Sequence, residues 1–456
     1  MTEEYATPIE AIVTAAVERQ HLPGVSVAVA RGGRLLFARG YGYRNVGERL
    51  PADPETIYSI ASISKQFTAA AIMQLAERGM LRIDDRVTRY FPGHPYGAGI
   101  ELRHLLTHTS GIPDYFPLEE LDRVAFCAAR PHEIIESVLN REAAFAPGAE
   151  YQYCNTGYVM LGAIIERVAE QSYAQYLQTN FFDPLEMTRT GIDDTPAIHH
   201  NLAVGYTSYV LGPWELARDY HPTWEFATGG MYSTVIDMLK WNWALRAGRV
   251  VSAPSLAMMT ARARLGAGQV LDYGFGLSVN DVGGLREIRH TGGLPGISTD
   301  NATYPDAGID IIGFVNHDGC SIYATIVRPI LALIAGRPAA GAPASERSNL
   351  PVSSGLDERP FARSWIRAAA AGRIGDLPLS ARFERFLHPG RRARFAELRA
   401  YGEITGMSLI DASRRDPETS FNYRVDFERA PLVASVAIRD DGMLADLRFL
   451  RWDDRA

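Results

Sequence analysis

Strand-like runs stand at both ends of the first 335 residues of this chain, and helix-like runs fill the space between them. Residues 25–30 and 35–38 are rich in Val, Ala and Leu and flank Arg31-Gly32-Gly33-Arg34, a hairpin signal. Residues 274–279, 287–290, 297–304 and 309–316 carry the same kind of pattern much later in the chain. Between them the periodicity is helical. Residues 59–75 read as a buried helix closed by Gly79, residues 102–106 as a short helix and residues 158–168 as a strong one. Thr234 is placed to cap a further helix with Asp237 at its third position. Helices are also predicted over residues 9–17 and 322–335. The economical solution is one antiparallel sheet built from both ends of this stretch and flanked by helices, with an all-helical subdomain inserted: an α/β (α+β) class.

A Pro/Ala/Gly-rich run begins at Gly336-Arg337-Pro338 and predicts a linker over residues 337–358. It separates a domain of residues 1–336 from a smaller one of residues 359–456. In the smaller one, residues 361–371, 380–387 and 391–401 read as helices. Residues 403–411, 421–427, 432–438 and 444–450 read as strands, with Asp440-Asp441-Gly442 as the last turn. Helices followed by a four-strand meander predict a small α+β accessory domain. It contains no constellation suited to a nucleophile and reads as a packing or lid module.

Composition excludes several function classes. A net charge of −7 with no basic stripe provides no field for nucleic acid. The three cysteines, Cys127, Cys154 and Cys320, are widely spaced and form neither a metal-ligand pair nor a disulfide framework. No metal or other cofactor is expected. The opening Met1-Thr2-Glu3-Glu4-Tyr5 has no basic or apolar region of the signal-peptide kind. The apolar segment at residues 322–335 is interrupted by Arg328 and Pro329 and is too short to span a bilayer. The expectation is a cytoplasmic protein with no membrane partner.

The chemistry is predicted around Ser62-Ile63-Ser64-Lys65. Ser62 falls in the first turn of the expected helix, and Lys65 lies three residues on, along the same face. A hydroxyl needs a base to become a nucleophile, and a desolvated lysine can serve as one. Of 46 basic residues two are lysine, Lys65 and Lys240, and the other 44 are arginine. Arginine cannot give up its proton, so a lysine kept at this position points to a need for the neutral amine. Two further stretches belong with it. Tyr151-Gln152-Tyr153-Cys154-Asn155 is a polar loop opening a helix, in which a phenol can move protons and an amide can hold a carbonyl. Arg289-His290-Thr291-Gly292-Gly293 closes a strand with small residues that let backbone approach a ligand. Tyr43-Arg44-Asn45 repeats the Tyr-x-Asn spacing and reads as structural, as do His104 and His108, whose i, i+4 spacing lacks a third ligand. His199-His200 reads as surface, and Trp214, Trp224, Trp241 and Trp243 as core.

Together these stretches resemble the serine β-lactamase and penicillin-binding-protein superfamily in its class C-like branch of esterases, DD-peptidases and D-aminopeptidases. Ser62-Ile63-Ser64-Lys65 matches the first motif, Tyr153-Cys154-Asn155 the second and His290-Thr291-Gly292 the third. Leu105-Leu106-Thr107-His108-Thr109-Ser110-Gly111 and Gly229-Gly230-Met231-Tyr232-Ser233-Thr234 also look like family segments, and the resemblance covers residues 8–335. It implies a β-lactamase-like fold in which Ser62 is the acyl nucleophile and Lys65 and Tyr153 exchange its proton. Asn155 would orient the substrate, and the backbone N–H groups of Ser62 and Gly293 would form the oxyanion hole. His290, with Thr291, Gly292 and Gly293, would face the substrate's carboxylate or acyl tail.

Two departures refine this. True β-lactamases have Lys where His290 stands, and a histidine is mostly neutral near pH 7, so the expectation moves from a β-lactamase to an esterase or peptidase. Cys154 replaces the family's Ser and reads as packing. The predicted activity is hydrolysis of a small ester or peptide-like amide through an acyl-enzyme. The alternatives are an acyltransferase or penicillin-binding-protein-like thioesterase or peptide cyclase using the same acyl-enzyme, and a non-catalytic ligand-binding module on the same fold.

Overall fold

The computed structural model describes residues 3–96, 99–116, 125–192, 201–208, 212–218, 220–336, 360–387, 389–415 and 418–451. The predicted linker at 337–358 and the His199-His200 pair lie outside the described residues. The chain divides into two compact units, Met1–Tyr206 with Leu216–Gly341, and Thr207–Glu215 with Ala342–Ala456.

The first unit is built on a seven-stranded sheet. Its strands are β1 (Gly24–Arg31), β2 (Arg34–Asn45), β3 (Leu50–Pro51), β4 (Ser278–Val282), β5 (Leu285–Leu294), β6 (Ile297–Tyr304) and β7 (Ile309–Val315). They lie in the order β3-β2-β1-β7-β6-β5-β4. The two ends of the unit meet where β1 pairs antiparallel with β7, from Val25 opposite Val315 to Arg31 opposite Ile309. Both faces of these central strands are buried, which is why their sequences read as apolar runs without a polar alternation. Val25, Val27 and Val29 pack with Ile309, Ile311 and Val315 into one core. Ala28, Ala30, Ile312 and Phe314 on the opposite face join the other. The first core is closed by the helix α1 (Glu3–Gln20) and by the helix Arg328–Ala335, the last of this unit.

The second core lies under the helical subdomain and surrounds α2 (Lys65–Glu77). Lys65, Gln66, Phe67, Ala69, Ala70, Ala71, Ile72 and Leu75 are all buried, so α2 is enclosed on nearly every side. Phe67 stacks on Trp241 with ring centroids 3.8 Å apart. Gly79 (φ +71°) ends the helix as predicted. Its N–H reaches the Ala76 carbonyl at 3.0 Å and the next N–H, of Met80, reaches Leu75 at 3.0 Å, a Schellman closure. The helix α3 (Asn155–Ala169) packs against it, and the helix α4 (Val235–Arg246) is capped by Thr234 Oγ1, which accepts from the Asp237 N–H at 3.1 Å.

Two expectations need correction. The helix predicted from residue 59 is not continuous. Ala61–Ser64 forms a separate 3-10 turn, and the α-helix starts at Lys65. Ala61 in that turn has φ +46°, a left-handed conformation costly for a residue with a Cβ. The strand expected at 274–279 is Ser278–Val282 instead. Gly276 has φ +67°, and a Cβ there would lie 2.6 Å from the Lys65 carbonyl oxygen. The chain turns at this glycine against α2 before it can extend.

The second unit carries a four-stranded antiparallel meander: Ile404–Arg415, Glu418–Phe427, Pro431–Arg439 and Leu444–Arg451. Its two middle strands, Glu418–Phe427 and Pro431–Arg439, largely alternate buried and half-exposed residues. Trp365 and Ile366 of the helix Pro360–Ala370 and Phe395 of the helix Pro389–Glu397 pack on Phe421, Tyr423, Val436 and Leu447. Within the same unit Glu215 pairs with Arg391 at 3.0 Å and with Arg394 at 3.5 Å. No helix among the described residues is long and apolar enough to cross a membrane.

Candidate active site

Ser62 is held half-buried in the 3-10 turn, and Lys65 opens α2 directly behind it. Lys65 is fully buried, with Nζ 3.1 Å from Ser62 Oγ. The same amine donates to the Thr228 carbonyl at 2.8 Å. Thr228 belongs to the short helix Phe226–Gly229, whose last carbonyls have no helical partner and so remain available to a donor. Two tyrosine rings lie close to the Lys65 amine. The Lys65 Nζ lies 4.9 Å from the ring centroid of Tyr153 and 5.6 Å from that of Tyr158, within the range of cation–π attraction.

The third stretch closes over the turn from the sheet. Strand β5 pairs with β4 as far as Arg289, opposite Ser278, and its register with β6 runs on to Leu294. Gly292 fits because a Cβ there would lie 2.2 Å from the Ile60 carbonyl oxygen and 2.3 Å from Thr299 Oγ1. Its neighbour Gly293 is exposed, and a Cβ there would have nothing within 4 Å. One glycine is therefore a packing contact with the nucleophile's turn, and the next borders open space.

Asn155 begins α3. Its Nδ2 donates to Asp114 Oδ2 at 3.0 Å, and its backbone N–H donates to Asp114 Oδ1 at 2.9 Å. The Thr156 N–H reaches the same oxygen at 3.3 Å. Asp114 thus satisfies the orphan donors of α3 from another segment and places a carboxylate at the positive end of its dipole. The N-cap residue itself, Cys154, makes no side-chain cap. Burial first, and then the charge of Asp114, push its thiol well above the ordinary cysteine range, so it stays protonated and unreactive.

His290 is buried, and both its ring nitrogens are engaged inside the protein. Nδ1 donates to the Thr291 carbonyl at 2.6 Å, and Nε2 meets Tyr273 Oη at 3.0 Å. Burial first, and the charge of Lys65 second, hold its pKa down to about 3, so the ring is neutral. Arg289, beside it, forms a bidentate pair with Asp300, its Nη2 2.6 Å from Oδ2.

The predicted Ser62, Lys65 and Tyr153 are therefore brought together, with Gly292 and Gly293 beside the turn. Asn155 is turned to Asp114, and His290 to Tyr273. The reading from sequence missed Thr228, Asp114, Tyr158 and Tyr273. Thr228 directly precedes the conspicuous Gly229-Gly230 run, which was the available signal. Tyr43-Arg44-Asn45 lies in β2, where the Tyr43 carbonyl accepts from Asn316 Nδ2 at 3.1 Å. Among the described residues no group of three or more His, Cys, Asp or Glu is placed to hold a metal.

Comparison with known proteins adds an independent finding. The family model described as Beta-lactamase matches residues 9–324. A penicillin-binding protein of Bacillus subtilis strain 168 is 32% identical over 329 residues, covering 69% of this chain and 72% of that protein. Protein flp of Staphylococcus aureus is 30% identical over 246 residues, covering 53% of this chain, which spans about half (49%) of flp's length. Among solved structures, the D-amino acid amidase of Ochrobactrum anthropi SV3 complexed with D-phenylalanine is 26% identical and superposes with a TM-score of 0.64, over 72% of this chain and 98% of that one.

Proposed function

The chain belongs to the beta-lactamase family, and on that premise we propose that it hydrolyses a small ester or peptide-like amide through an acyl-enzyme on Ser62. The observation that carries this reading is the fully buried Lys65 amine 3.1 Å from Ser62 Oγ. With one N–H held by the Thr228 carbonyl, a neutral amine can aim its lone pair at the serine hydroxyl. The proton moves from Oγ to Nζ as Oγ bonds to the substrate carbonyl carbon. The rings of Tyr153 and Tyr158 stabilise the ammonium so formed, and Tyr153 helps return the proton to the leaving group. Backbone N–H groups of Ser62 and Gly293 receive the oxyanion, and Asn155, held by Asp114, orients the substrate. Water then takes the acyl group by the reverse proton path.

The substrate's acyl end carries no carboxylate. His290 is neutral with both nitrogens engaged, and Arg289 is neutralised by Asp300, so neither side chain offers a cation to the cleft. The similar D-amino acid amidase of Ochrobactrum anthropi SV3 is by its name an enzyme of amides, which supports a peptide-like amide as one substrate class here. A cytoplasmic location belongs to the proposal and agrees with three free thiols; fractionation of the native host tests it.

Matched substrates test the function. p-Nitrophenyl butyrate and p-nitrophenyl hemisuccinate have the same acyl length and differ by a carboxylate. Turnover of the butyrate is expected, with kcat/KM at least about tenfold above the hemisuccinate, a difference of about 1.4 kcal/mol. Equal or better use of the hemisuccinate would refute the substrate class. Product analysis with added amine separates hydrolysis from acyl transfer.

A further inference from the structure

Behind Tyr153 runs a chain of hydrogen bonds that the reaction above does not use. The Cys154 backbone N–H donates to His108 Nδ1 at 3.1 Å. His108 Nε2 meets Tyr273 Oη at 3.2 Å, and Tyr273 Oη meets His290 Nε2 at 3.0 Å. His290 Nδ1 ends the chain on the Thr291 carbonyl at 2.6 Å. The two ends determine every direction between them. An amide N–H only donates, so His108 Nδ1 accepts and the ring's proton sits on Nε2. A carbonyl only accepts, so His290 carries its proton on Nδ1, and because the buried ring is neutral its Nε2 accepts. The Tyr273 hydroxyl satisfies both by accepting from His108 and donating to His290. All three side chains are buried. The chain ties the backbone of the Tyr153 loop to the backbone of β5. The His108 ring also lies against the Tyr153 ring, centroids 4.2 Å apart.

We propose that Tyr273 is a positioning residue: by holding His108 and His290 as opposite neutral tautomers, it fixes the surface on which Tyr153 rests and keeps histidine charge away from the Lys65 amine. The proposal rests on the reading of Lys65 and Tyr153 as proton carriers. The groups facing the chain are Tyr151, Tyr153 and Tyr158 around Tyr273, and Lys65 and Arg289 around His290. A proton added to His108 Nδ1 would confront the Cys154 N–H, and one added to His290 Nε2 would confront the tyrosine's donor. Either would break a hydrogen bond between buried groups.

Selective 15N labelling of the histidines in the full chain reads this directly, with the two signals assigned by their loss in His108→Gln and His290→Gln. The wild type is expected to show one Nε2–H and one Nδ1–H tautomer, neither titrating from about pH 5 to 8. In Tyr273→Phe at least one becomes a mixed tautomer, and kcat on p-nitrophenyl butyrate falls about tenfold while KM moves less than about twofold. Unchanged tautomers, or an unchanged kcat, in that variant overturns the proposal. So do wild-type signals that titrate near the ordinary histidine value or share one tautomer, a result that stands even if the variant fails to fold. Failure of a fluorophosphonate to label wild-type Ser62 would strike the acyl-enzyme reading instead and leave the tautomer result legible.

Discussion

A serine with a buried lysine three residues on is a pattern that can be read in one dimension, because both groups belong to one turn of chain. The shortage of lysine made the pair stand out further. Lys65→Arg keeps the charge and removes the base, so kcat on p-nitrophenyl butyrate is expected to fall by about 10²- to 10⁴-fold, the usual worth of a positioned general base. Circular dichroism should show the fold retained; full activity in the variant would remove Lys65 from the mechanism. What the sequence could not reveal at this scale is which side chains meet from distant segments. Asp114 is 41 residues from Asn155, and Tyr273 is 165 from His108. Periodicity carries no information about such pairs. For the same reason His290 could be matched to its motif but not to its orientation, which depends on Tyr273.

Among the elements, the sheet strands and the long helices were legible from periodicity, whereas the turn that carries the nucleophile was not. A left-handed Ala61 has no local signal, since alanine favours helix when nothing else intervenes. The close approach of β5 to that turn imposes the exception. The two adjacent glycines of β5 separate packing from access. Gly292→Ala drives a Cβ into the Ile60 carbonyl and should cost about 1–3 kcal/mol and most of the activity. Gly293→Ala meets nothing within 4 Å and should leave the melting temperature within error of wild type. Thermal melts of the pair check this, and equal destabilisation by both would contradict the close approach. The strand expected at 274–279 was misread because Gly276 serves a contact with Lys65 that no strand pattern encodes.

At the scale of the whole molecule, the sheet closed from both ends of the first unit was legible because β1 and β7 are apolar on both faces. The grouping of Thr207–Glu215 with the second unit was not, since contacts such as those of Glu215 with Arg391, 176 positions away, and with Arg394 join residues distant in sequence, which no local pattern encodes. Stability should also record the buried histidine. The pKa of His290 in the folded protein, about 3, lies below its unfolded value near 6.5, so its contribution is present above about pH 6.5 and is lost as pH falls toward 3. Burial lowers His94 and His104 in the same direction. Urea unfolding at pH 5 should therefore give a stability lower than at pH 7, with about 2 kcal/mol of the difference from His290. A flat profile between those values would mean that the ring is charged in the folded state. Acyl-enzyme chemistry on Ser62 is read by intact-protein mass spectrometry during incubation with p-nitrophenyl butyrate, with Ser62→Ala alongside. A butyryl adduct or steady release of p-nitrophenol is expected in the wild type and neither in the variant. Adduct and release at wild-type levels in Ser62→Ala, or neither in the wild type with this ester and a small fluorophosphonate alike, would contradict it.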